Sequence, residues 1–151
     1  MREIDRIADQ LKRAHEGGAW HGPSVSEALS GVSAPRAAAR PISGAHSIWE
    51  LALHIAAWRH IAALRVAGQP LIDPPEGDWP VVRGADEASW EDARALVELR
   101  YRELVTAVRS LDEDRLNLPL AEGFSSAYVT LHGVIQHDLY HAGQISLLKK
   151  S

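Results

Sequence analysis

The chain has 151 residues, of which 46% are hydrophobic and 24% charged, and its formal net charge is -4. This describes one soluble domain spanning residues 1–151, large enough to bury a core without staples, and it argues against disorder or a repeat array. Without a Lys/Arg cluster there is nothing to drive nucleic-acid binding by counterion release, and without cysteine there is no disulfide, no thiolate nucleophile and no Cys-ligated metal.

Ile4, Ile7, Leu11 and Ala14 form an apolar stripe at helical spacing that stops at Gly17-Gly18, predicting a first helix over 2–16. Residues 17–45, rich in Gly, Pro and Ser, read mostly as ordered loop, with a capping-box pattern at Ser24-Val25-Ser26-Glu27 that suits one short helix. Ser47-Ile48-Trp49-Glu50 repeats that pattern and opens a second long helix to Ala67, closed by Gly68 and Pro70. Pro70, Pro74, Pro75 and Pro80 forbid a helix interior and leave a linker from Gln69 to Asp86, long for a helical hairpin. Trp90, Ala93, Val97, Tyr101, Leu104, Val108 and Leu111 keep spacings of three and four, giving a third long helix capped by Ser89. After a turn region over 112–126, the fourth starts near Ala127, or near Leu131 if Thr130 is its cap, and ends about Lys149. No segment alternates with period two. The expected fold is all-α, a four-helix bundle running up-down-down-up, with the Pro-rich linker as a long crossover between parallel second and third helices. No apolar run has the length of a membrane span and the first ten residues lack a signal-peptide pattern, which reads as a cytoplasmic protein.

Among eight histidines, His137 and His141 lie four apart on the fourth helix, on a face with Val134, Ile145 and Leu148, and so project together toward the core. Two buried imidazoles need polar partners, and a metal would satisfy both. His54, among Leu51, Ala57, Trp58 and Ile61, is the candidate third ligand. In antiparallel helices its depth and that of His141 differ by only about 3 Å at ~1.5 Å per residue. His15 and His60 read as surface residues, His46 as local structure, and His132 as more than a turn from the pair. His21 and Trp20, in the loop after the first helix, are candidates to border the pocket, as are Trp79 and Asp138, while Trp49, Trp58 and Trp90 read as core.

Trp20-His21-Gly22-Pro23-Ser24, His46-Ser47-Ile48-Trp49-Glu50-Leu51 leading to His54-Ile55, and His137-Asp138-Leu139-Tyr140-His141-Ala142-Gly143-Gln144-Ile145 together resemble the DinB-like, or YfiT-like, family of metal-binding four-helix bundles. The resemblance covers most of the chain. It implies a metal held by one histidine of the second long helix and two of the fourth, which fall on His54, His137 and His141, and it favours a homodimer. Relatives that look like thiol-dependent transferases or isomerases imply a small-molecule substrate and a low-molecular-weight thiol as partner. Three imidazoles suit zinc or nickel, with manganese or iron as alternatives. The expected function is a metal-dependent transferase activating an external thiol, or a hydrolase, with Glu50, Asp138 and His21 as candidate auxiliary groups. A non-catalytic metal- or small-ligand-binding bundle is the alternative.

Overall fold

Side-chain oxygens that accept otherwise free backbone N–H groups mark where most of the helices begin. The computed structural model describes residues 1–151 and contains α1 (Glu3–His15), α2 (Val25–Leu29), α3 (Ala34–Ala38), α4 (Ile48–Val66), α5 (Glu87–Arg109) and α6 (Ala127–Leu148). Ser24 and Ser47 each form a complete capping box, with Glu27 and Glu50 returning a bond to the cap backbone. The cap of α5 is Asp86 rather than Ser89: the Asp86 carboxylate accepts the Ser89 N–H at 2.9 Å, which starts the helix earlier than the apolar stripe alone suggests. Ser126 caps α6, so that helix opens at Ala127 and not at Leu131. The short helix α3 departs from the expected loop; Pro35 in its first turn supplies a helical φ where its missing N–H has no partner to lose. Replacing Ser47 with Ala is expected to lower stability by about 1 kcal/mol, read as a lower urea midpoint at unchanged slope.

Packing fixes the directions of the four long helices. Ile48 to Ala56 of early α4 pack with Trp90, Ala93 and Val97 of early α5 and with Ala142, Ile145 and Leu148 of late α6. Late α4, through Ala62 and Ala63, packs with Tyr101, Leu104 and Val108 of late α5 and with Ala127 and Leu131 of early α6. Helices α4 and α5 are therefore parallel and α6 opposes both. The Glu3 N–H donates to Glu113 beyond the end of α5 at 2.6 Å, whereas His15 meets Glu98 within α5, so α1 also opposes α5. The order is up-down-down-up, as the long crossover requires.

That crossover retraces α4 from its end toward its start. Arg65 donates to the carbonyls of Leu71 and Ile72 at 2.8 and 2.6 Å, His60 meets Glu76, the Trp58 indole N–H donates to Asp78 at 2.8 Å, and Trp79 stacks on His54 and His46. Successive linker residues thus meet successively earlier residues of α4, which lays the strap along that helix from Arg65 to His54. No helix is long and apolar enough to cross a membrane.

Candidate metal centre

The three histidines read from sequence come together. His54 Nε2 lies 2.9 Å from His137 Nε2, which lies 3.1 Å from His141 Nε2, and one ligand atom from each falls within 4.8 Å of the other two. Second nitrogens fix the orientation of two rings: His54 Nδ1–H donates to the Asp78 carbonyl at 2.5 Å, and His141 Nδ1–H donates to Gln144 Oε1 at 2.6 Å. A carbonyl oxygen only accepts, so the neutral His54 and His141 rings carry their protons on Nδ1 and turn Nε2 lone pairs toward His137. A proton on His137 Nε2 can be donated to only one of these lone pairs at a time, whereas a cation among the three nitrogens would engage all of them. At ligand distances of ~2.0 to 2.1 Å, two nitrogens on one ion lie about 3 to 3.5 Å apart, so the donor set fits a divalent transition metal.

Electrostatics keep the rings in the form that ligates. Burial, then the neighbouring His141 and His54, lowers the pKa of His137 to about 3, and burial moves His54 and His141 in the same direction. His15 is lowered to about 4, by burial and then by the Arg59 charge. These rings stay neutral in the fold while their unfolded counterparts protonate from the ordinary value of 6.5 downward. The unfolded state then binds more protons, so this contribution to stability is fully present above pH 6.5 and is lost as pH falls toward the folded values. The urea midpoint of metal-free protein is expected to fall steadily from pH 6.5 to about 5, above the range where carboxylates titrate. A flat profile across that interval would contradict the burial of these rings.

The rings open onto a shallow hollow of about 320 Å³ lined also by Trp58, Asp78 and Tyr140. Trp79 covers His54 on the side away from that hollow's lining, its ring 3.8 Å from the imidazole and nearly parallel to it, and His46 stacks on Trp79 at 3.5 Å. The sequence model of the DinB superfamily matches residues 18–145. The chain belongs to the DinB superfamily. Among curated proteins and solved structures, none matches it.

The other candidates of this DinB chain fall in different places. Trp79 covers the His54 ring of the centre. Trp20 and His21 instead line a separate hollow with Asp9, Arg13 and Leu139, and Trp20 is fully exposed, so neither borders the three histidines. Asp138 is buried away from the hollow, because between His137 and His141 its side chain turns inward to Arg59 of α4, with N–O distances of 3.0 and 2.9 Å. Glu50 is occupied by its capping box and by Arg40. His15, expected at the surface, is buried and accepts at Nδ1 from Arg59 at 3.2 Å; its Nε2–H therefore donates to Glu98 at 2.6 Å. Sequence reasoning missed the supporting groups Asp78 and Gln144. Gln144 had a visible signal, since it lies three residues after His141 on the same helix face.

Proposed function

We propose that this protein is a metal-dependent enzyme whose His54, His137 and His141 hold zinc or nickel, and that it transfers an external low-molecular-weight thiol to a small-molecule acceptor. The observation that carries the reading is the convergence of three imidazole nitrogens, two of them on rings oriented by a second hydrogen bond, at the floor of an open hollow. Such an ion, when bound, supplies a Lewis acid that makes a thiol or a water beside it more acidic. With no cysteine in the chain, a sulfur nucleophile has to come from outside. Asp78 and Gln144 hold His54 and His141 in the ligating tautomer, and Trp79 shields the His54 ring from water.

Hydrolysis is the second reading, favoured by the openness of the hollow to water. The thiol reading is preferred because a thiol ionised beside the metal needs no further base, whereas hydrolysis would rely on Asp78, the only carboxylate lining that hollow, whose Oδ1 accepts from Trp58 and leaves Oδ2 alone to take a proton. Metal-loaded protein assayed with low-molecular-weight thiols and electrophilic acceptors, beside simple esters and amides, separates the two. Thiol consumption that disappears in the His54→Ala variant is the expected result. Ester or amide cleavage alone would transfer the case to hydrolysis, and inactivity of fully loaded protein toward every class would favour a non-catalytic metal-binding bundle.

A further inference from the structure

Beside the three-histidine centre lies a second and larger hollow, of about 500 Å³, between the segment before α4 and the last turns of α6. It shares His141 and Tyr140 with the shallow opening over the centre, so whatever fills it lies against one of the three histidines. Seven of its eleven lining residues are hydrophobic, and none is Lys, Arg, Asp or Glu. Ile42, Trp79, Tyr140 and Leu147, four of the large apolar side chains this chain leaves exposed, gather around it. Its polar groups are few and uncharged: the His46 and His141 rings, the Tyr140 hydroxyl, and the Gln144 amide, whose oxygen is held by His141 and whose NH₂ remains to donate.

We propose that this hollow binds an uncharged apolar portion of the acceptor substrate, an aromatic ring or alkyl chain carrying an oxygen acceptor at the end nearer Gln144. The inference deepens the proposed transfer reaction and rests on it for the word acceptor. The volume lies within the roughly 300 to 1,000 Å³ of small-molecule sites, and a mostly apolar lining with a small number of placed polar groups is the usual chemistry of such sites. Absence of charge in the lining selects against ionic ligands, since an unpaired ion would lose its hydration without compensation. A second copy of the chain is the less suitable occupant, because a stable interface needs about 800 Å² per partner and these side chains ring a concavity.

The test uses N-phenyl-1-naphthylamine, an uncharged apolar fluorophore, titrated into metal-free protein, with the anionic 1-anilinonaphthalene-8-sulfonate beside it. Saturable one-to-one binding of the uncharged probe is expected, with weaker binding of the anion. Leu147→Lys and Ile42→Lys, on different segments of the rim, are each expected to weaken it roughly tenfold or more, whereas Leu99→Lys, an exposed leucine of α5 outside the hollow, leaves it unchanged. Non-saturable binding, or equal loss in Leu99→Lys, overturns the proposal. So does a wild-type dimer in sedimentation that excludes the probe until it dissociates, since a second copy then covers the hollow. His137 neither lines this hollow nor stacks on Trp79, so His137→Ala keeps probe binding; that result with no metal binding by the wild type would remove the proposed function alone, and metal binding without probe binding by the wild type would remove this inference alone.

Discussion

Replacing Asp138 with Ala is expected to destabilise the protein by about 3 to 5 kcal/mol, the usual consequence of stranding one member of a buried ion pair. Arg59 and Asp138 are both essentially inaccessible to water, and the pair joins α4 to α6 beside the histidines. Without the carboxylate, the Arg59 guanidinium keeps only His15 Nδ1 at 3.2 Å and the Val97 carbonyl at 3.1 Å, both neutral acceptors. Its charge then has no compensation in the core. An Arg59→Met, Asp138→Leu double variant is expected to recover most of the loss, because it removes both desolvation penalties together. Urea unfolding of the two variants and the wild type checks both statements. An Asp138→Ala variant within about 1 kcal/mol of wild type would show that the pair is not buried as described.

Alanine at any one of His54, His137 or His141 is expected to weaken zinc or nickel binding at least tenfold, about 1.4 kcal/mol, while the far-ultraviolet spectrum stays helical. The fold does not rest on these rings, since two hydrophobic clusters made of all six helices hold the bundle. Loss of one imidazole leaves two ligands and an unfilled position where one Nε2 stood. In wild-type protein a bound ion stabilises the folded state by mass action, so added metal raises the unfolding temperature, and each variant should lose most of that increase. Stoichiometric binding by His54→Ala at wild-type affinity, measured by calorimetry, would remove His54 from the ligand set.

The histidine cluster was legible because it depends on helical period and helix ends, and both are written in side chains. Ser47 and the Gly68/Pro70 stop bracket α4, and the spacing of His137 and His141 sets their shared face. Asp78 was not legible: its contribution to His54 is a backbone carbonyl, an atom every residue possesses, delivered by a linker whose path no periodicity describes. Arg59 was hidden for another reason. Its helix is apolar on almost every side, which signals burial all round, so an arginine in its middle needs an interior counter-charge. That counter-charge sits 79 positions away, and only the packing of α4 against α6 selects Asp138 from the chain's other acidic residues. His15 follows the same logic, drawn inward by the Arg59 donor.

The strap between α4 and α5 is tied at its centre by the Asp78 carbonyl and the Trp79 ring, both to His54. A segment of this kind opens locally at a cost set by these ties together with those to Arg65, His60 and Trp58, rather than by the stability of the whole bundle. Anything that immobilises the His54 ring therefore tightens the strap, and anything that frees the ring loosens it. Protease cleavage between Leu71 and Gly77 becomes a readout of what occupies the histidines, obtained without following any reaction.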